Sequence, residues 1–463
     1  MSPLVLASAL ALAAPAGSPA SPAAAGDPQV ESLVREALEN RPEVRQARAQ
    51  VEAENARVPQ AGALPDPTLT LGIQNDGFRE IQIGKMETSY WQVMASQSFP
   101  WFGKRGLREE AAGLQARQAE AALARVRLSV EADVRRAWLD LLLVRDELSL
   151  LGKLEALWRQ SEGLARARYE SGEGPQSDLL RAQLERSRLR QRRFALEAGE
   201  RARLQALNRL LARPLEGPIP TSRSLSDLPD PPLPDPAAAR ADAEARSPEL
   251  ERARLATAQA ERRVALARRD YFPDFTISAG IMPRGSLDPM WQAALSFNLP
   301  IFAGSRQSRA VAEGEARGQA EAQGAEAVRQ VLRERVEERL ALLSAVLEAN
   351  GLYRSGLLVQ SEATAESTLA QYRVGRVTFA SVLEALAGYV SDFDGFLQSV
   401  AEAQRLAIAQ QEVSLDPAPG LGAAGIGGGG MPGAGATGGG ASGGMGSTSP
   451  PAETGGATSM SRM

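Results

Sequence analysis

Neither cysteine nor histidine occurs in the 463 residues, and aromatic residues make up only 5% of them. The first gap removes the common thiol and imidazole nucleophiles, the usual proton shuttle and nearly all transition-metal ligands. It also excludes disulfides and a lipid-acylated N-terminal cysteine. An enzyme is therefore not expected, nor a resident cofactor or metal. An excess of one charge is missing as well: 52 Lys and Arg stand against 56 Asp and Glu, which leaves no footprint for nucleic acid. The apolar stretch from Pro3 to Ala14 is too short to span a bilayer and reads as part of an export signal covering residues 1–25, with Ala23-x-Ala25 as the cleavage site. Its start lacks the usual basic residues, since no Lys or Arg precedes Arg35. No later segment offers 18 consecutive apolar residues, so any spanning structure has to be made of strands.

What the chain does have is a duplication. Trp91-Gln92 opens a run through Phe99-Pro100-Trp101-Phe102-Gly103, and Trp291-Gln292 opens another through Leu299-Pro300-Ile301-Phe302-Ala303-Gly304. Arg41-Pro42-Glu43-Val44 pairs with Ser247-Pro248-Glu249-Leu250, Pro65-Asp66-Pro67-Thr68 with Pro273-Asp274-Phe275-Thr276, and Tyr169-Glu170-Ser171-Gly172 with Tyr372-Arg373-Val374-Gly375. The offset, about two hundred residues, is far beyond a solenoid unit of roughly 20 to 50. One half-molecule has been copied.

Each copy holds two segments of period two. Thr68–Gln74 alternates strictly, and 276–281 repeats the pattern. From Trp291 to Leu299 one face carries Trp291, Ala293, Leu295 and Phe297, and the other carries Gln292, Ser296 and Asn298; Trp91, Val93 and Phe99 likewise face away from Gln92 and Ser98. At about 8 to 11 residues these segments have the length of tilted outer-membrane strands. On that reading Trp91, Val93, Trp291, Leu295 and Phe297 face lipid. Period alone fits a soluble hairpin with one buried face equally well, and four strands cannot close a barrel by themselves.

After Gly103 no proline occurs until Pro175, and after Gly304 none until Pro417. Apolar residues such as Val126, Val130, Val134, Trp138 and Leu141 keep one helical stripe. Each copy thus contains a helix of about 65 to 70 residues, roughly 100 Å long at 1.5 Å per residue. Each then turns at Tyr-x-x-Gly and returns through a helix about half as long, near 176–212 and 378–414. Shorter helices are expected near 41–63 and 247–269. Residues 213–236 are proline-rich and read as a stiff extended connector across the middle of the rod. Residues 416–463 are dominated by Gly, Ala and Ser and read as a disordered tail.

The duplication, the Tyr-x-x-Gly turns followed by Asp178-Leu179-Leu180 and Ser381-Val382-Leu383, and the strand exits Phe-Pro-Trp-Phe-Gly-Lys-Arg and Pro-Ile-Phe-Ala-Gly-Ser-Arg together resemble the TolC-like outer-membrane efflux protein family. Gly-Ala-Leu-Pro-Asp-Pro at 62–67 is most similar to the branch found with heavy-metal cation exporters. The resemblance covers about 28–415, divided into a first repeat at 28–212 and a second at 237–415. It implies a mainly α protein with a transmembrane β-barrel: a homotrimer whose strands form one outer-membrane barrel, continued by very long helices into the periplasm. It also implies as partners a periplasmic adaptor (membrane fusion) protein, an inner-membrane pump and outer-membrane lipid.

In this family the helical turns form the closed periplasmic tip. Asp178 and Glu384 follow the two turns, and three-fold symmetry makes each a carboxylate ring able to attract cations. Ser381 stands where the family often has an acid. Asp178 as the N-cap of its helix or a support for its first turn is the equal alternative. Tyr169, Gly172, Tyr372 and Gly375 set the turn geometry, Gly through positive φ and Tyr through packing. The expected function is a passive exit duct for small solutes or metal cations. Type I protein secretion through the same duct is the near alternative, and a soluble coiled-coil scaffold the distant one.

Overall fold

The computed structural model describes residues 28–417. The expected export signal at 1–25 and nearly all of the Gly-rich tail lie outside the described residues. The first half runs through α1 (Pro28–Asn40), α2 (Pro42–Gly62), β1 (Thr68–Gln74), β2 (Tyr90–Phe99), α3 (Lys104–Glu170) and α4 (Gln176–Leu210). The second repeats that order as α5 (Pro236–Arg246), α6 (Pro248–Arg269), β3 (Phe275–Arg284), β4 (Leu287–Phe297), α7 (Gln307–Leu352), α8 (Leu358–Arg373) and α9 (Phe379–Glu412). A single π-helical turn at Tyr353–Leu357 joins α7 to α8. Together these run from residue 307 to 373, the same 67 residues as α3.

Local chemistry explains the boundaries. Pro42, Pro236 and Pro248 each occupy a first helical turn, where a missing N–H costs nothing. Asp235 accepts from Ala238 N at 2.9 Å and Ser247 from Leu250 N at 3.3 Å, satisfying orphan donors at the starts of α5 and α6. α1 and α5 were not expected from the sequence. Each is short, with only a few buried residues, such as Val30, Leu33 and Val34 in α1 and Ala239 and Ala243 in α5.

α3 is the axis of the helical part and packs against α1, α2, α4, α6 and α9. Neighbours on several sides mean that Leu139, Leu141, Leu142, Leu143 and Val144 are all buried, although no single stripe connects them. The connector is anchored here. Arg145 Nη1 donates to Ile219 O and to Thr221 Oγ1, both at 2.9 Å, and Asp146 Oδ2 accepts from Leu225 N at 2.8 Å. Ile219 and Leu225 enter the central core with Trp138, Phe396 and Val400. Further along, Asp230 meets Asn350 at 3.3 Å and also Arg354.

The four strands form one antiparallel sheet in the order β1-β2-β3-β4. β4 is displaced relative to the expected 291–299: the tight turn at Gly285, with φ of 66°, lets the hairpin extend back to Leu287. Trp291 consequently lies inside the strand and not at its end. The connection between β1 and β2 is long and held by Asn75, which donates to Gly77 O and Glu80 O and accepts from Gln82 N at 2.7 to 2.8 Å. All four helix connections leave from the opposite end of the sheet. Among the described residues no helix is long and apolar enough to cross a membrane.

Candidate functional sites: the sheet face and the helical turns

Strand register sorts side chains into two faces. One carries the cross-strand row Leu71, Val93, Ile281 and Trp291, the row Leu69, Ala95, Ala279 and Ala293, then Ile277 and Leu295 with the polar exception Gln97, and finally Phe99, Phe275 and Phe297. The other carries Thr68, Ser96, Ser278 and Ser296 among others. Among the described residues nothing covers the apolar face. Trp91, Val93, Trp291, Leu295 and Phe297, the five residues expected to meet lipid, are all exposed, Trp291 to 79%. A soluble hairpin would bury this face and expose the polar one. Phe99 stacks on Phe275 at 5.3 Å and Trp101 on Phe272 at 5.6 Å, which gathers aromatic rings at the helix-side margin.

The same margin holds a polar junction that sequence reasoning missed. Lys104, only 3% exposed, donates from Nζ to Phe272 O at 3.0 Å and to Asp274 Oδ1 at 2.8 Å, and it pairs with Asp270 at 3.2 Å. Asp274 Oδ1 also accepts from Trp101 N at 2.7 Å. Burial raises the Asp274 pKa, but the Lys104 and Trp101 hydrogen bonds and the charges of Lys104 and Arg108 more than reverse it, leaving the carboxyl lowered. The first strand exit is thereby fastened to the second strand entry. Both sequence motifs, Phe-Pro-Trp-Phe-Gly-Lys-Arg and Pro-Asp, were visible; their partnership across 170 residues was not.

At the far end of α3, about 100 Å away at 1.5 Å per residue, lie the two turns. Gly172 and Gly375 have φ of 75° and 71°, and each donates its N–H to the tyrosine carbonyl three residues earlier. The tyrosines differ. Tyr372 is buried against Phe379 at 5.4 Å, and Phe379 meets Trp158 at 6.3 Å, whereas Tyr169 is exposed. Tyr372 Oη donates to Asp178 Oδ2 at 3.3 Å, which ties the second turn to the start of α4. Burial first, then the Asp178 charge, pushes the Tyr372 hydroxyl up to about 12, so it remains a donor throughout the physiological range. Arg168, unremarked in the sequence, completes the clamp: Nη1 donates to Tyr372 O at 3.1 Å and the guanidinium lies 5.0 Å over the ring.

Asp178 does not cap its helix. The cap residue of α4 is Pro175, and the Asp178 side chain goes to Tyr372 instead. Ser381 is occupied locally, with its N–H and hydroxyl meeting Thr378 Oγ1 at 3.4 and 3.1 Å. Glu384 is exposed one turn further on, and among the described residues it has no ion pair or side-chain hydrogen bond. Asp178, Tyr372 and Arg168 are thus brought together; Tyr169, Ser381 and Glu384 stand apart from them. No group of three or more acidic residues among the described residues could hold a metal ion.

The architecture recurs in known proteins. The outer-membrane channel OprN matches at a TM-score of 0.72 and 20% identity, covering 83% of this chain and 90% of its own. The open-state MtrE outer-membrane channel of Neisseria gonorrhoeae gives 0.70 and 19%, covering 83% and 89%. The outer-membrane protein VceC of Vibrio cholerae gives 0.67 and 19%, covering 83% and 95%. At such identities the likeness establishes the fold. No curated protein sequence matches the chain. The family described as outer membrane efflux protein matches residues 33–213 and 239–415, one segment for each half of the duplication. The chain belongs to the outer membrane efflux protein family.

Proposed function

We propose that this protein is the outer-membrane exit duct of a tripartite efflux system. Three copies join their strands into one transmembrane barrel, with the apolar face toward lipid and the polar face toward a water-filled lumen. The long helices continue the duct into the periplasm, where the turns meet an adaptor protein that links them to an inner-membrane pump. The two repeats are 28–212 and 237–415, with 213–236 as the strap between them. Cargo is small solutes or metal cations, moved passively. With no thiol or imidazole in the chain, selection of that cargo is assigned to the pump.

One observation carries this reading: a sheet whose apolar face is uncovered among the described residues and whose two edges are open sits on helices about 100 Å long. A soluble scaffold leaves that face unexplained. We further assign the turn end as the gate, closed by the Tyr372–Asp178 and Arg168–Tyr372 links, with Asp178 and Glu384 forming the acidic rings. The test is planar-bilayer recording of purified protein and of Asp178→Asn with Glu384→Gln. Cation preference is expected to fall while assembly is retained. Unchanged selectivity would remove the acidic rings from the mechanism, and absence of any conductance in both the native protein and Tyr372→Phe, which loosens the closed gate, would remove the duct.

A further inference from the structure

Without cysteine and histidine, methionine is the one soft metal ligand left in the chain, and its placement in the sheet is one-sided. Three of the nine methionines lie in strands: Met94 in β2, Met282 in β3 and Met290 in β4. Alternation along the strands puts all three on the polar face, where Met94 stands between Gln92 and Ser96 and Met290 beside Gln292. Among the paired residues the apolar face carries none. Packing against lipid therefore does not account for them, and they are the long apolar side chains of a face otherwise made largely of Thr, Ser and Gln.

The register also gathers them. Met282 and Met290 are direct cross-strand partners, and Met94 faces Gly280, which leaves it diagonal to Met282 with no side chain between. Directly opposed Cβ atoms lie about 4.5 to 5.5 Å apart and diagonal neighbours about 7 to 8 Å, within reach of long side chains. Gly280 keeps that space open, since a Cβ there would come 3.0 Å from the Met94 Cβ. Met282 is buried, and Met94 and Met290 are half-buried. Gln92 Nε2 donates to Met94 Sδ at 3.9 Å, so this sulfur already offers a lone pair on the polar side.

We propose that Met94, Met282 and Met290 form a thioether site for a soft monovalent cation, copper(I) or silver(I), near the end of the sheet opposite the helices. Thioethers carry no charge and no proton to displace, and they prefer such ions to the hard cations that oxygen ligands take. Three neutral ligands also release what they hold, as a path for ions demands. The site lies within one chain; its place on the lumen wall rests on the duct reading above.

The test uses full-length protein in detergent, isotope-labelled at the methionine methyls and titrated with silver nitrate in chloride-free buffer by NMR. Each resonance is assigned by its own Met→Leu substitution. Met86, exposed in the loop between β1 and β2, reports a lone thioether. Once one sulfur holds the ion the others meet it intramolecularly, so the Met94, Met282 and Met290 methyls should shift together at about 100-fold less silver than Met86 requires. Met282→Leu keeps the volume but removes the central ligand, and it should return Met94 and Met290 to the Met86 range. Shifts of all four at one silver concentration, or a joint shift of Met94 and Met290 that survives Met282→Leu, would overturn the site. The titration requires no pore. A joint shift in a protein that never conducts would remove the duct and keep the site, whereas separate titration in a conducting protein would remove the site and keep the duct.

Discussion

Leu295→Arg and Ser296→Arg place the same cation on neighbouring residues of β4 and differ only in the face they reach. Leu295 is exposed on the apolar face beside Ile277, and Ser296 lies on the polar face opposite Thr276. The apolar rows run from Ile73 and Trp91 to Phe99, Phe275 and Phe297, so the row containing Ala293 is central and Leu295 lies one row below it. Two residues along a strand tilted by about 40° are about 5 Å of depth, inside a lipid-facing band about 25 Å tall. An Arg at the midplane costs about 2 to 4 kcal/mol and at the interface about 0 to 1, so about 2 kcal/mol is expected for Leu295→Arg. That is about a 30-fold loss per chain, and about 6 kcal/mol across three independent copies. The assay is the yield of trimer extracted from outer membranes. Ser296→Arg should assemble close to wild type, with a changed conductance as the visible effect. Equal yields, or a larger loss for Ser296→Arg, would refute the assignment of the faces.

Tyr372→Phe removes the hydroxyl that binds Asp178 and keeps the ring against Phe379; a hydrogen bond to a charged group contributes about 1.5 to 3 kcal/mol, so closed-state occupancy in single-channel records should fall without loss of assembly. Lys104→Met should lower thermal stability in detergent by about 2 kcal/mol, at the modest end because Asp270 and Asp274 are partly solvated. The depressed Asp274 carboxyl contributes stability that is present above its unfolded pKa near 3.8 and is lost as pH falls through the lower folded value; Lys104→Met removes the groups that depress it, so the stability difference between parent and variant should shrink as pH falls below about 3.8. Gly280→Val drives a side chain into the Val93 carbonyl and should abolish assembly, detected as protein missing from the membrane fraction.

The elements set by long-range pattern were legible in the sequence. Val126, Val130, Val134, Trp138 and Leu141 kept a helical stripe because all five join the central core, and Thr68–Gln74 kept period two because its side chains alternate between the apolar and the polar face of the sheet. Elements fixed by tertiary packing were not legible. α1 gathers Val30, Leu33 and Val34 against a core made mainly by other helices, and the turn at Tyr353 is held by Phe396 at 6.1 Å from the returning helix. The tip was half legible. Tyr-x-x-Gly announced two turns, but only the second buries its tyrosine, because Phe379 and Trp158 are present to cover Tyr372 and position 176 opposite Tyr169 is Gln. Arg168 carried no signal, since one arginine among the many on a long helix is indistinguishable until the turn folds back on it.

The proposed duct exists only if open sheet edges are closed by further copies of the same chain. The most direct measurement is the mass of the particle released by mild detergent from the outer-membrane fraction, obtained by native mass spectrometry or light scattering with the detergent contribution removed. Three chain masses per particle, recovered from outer membrane, is the expected result. A single chain mass, or recovery in the aqueous fraction, would contradict it.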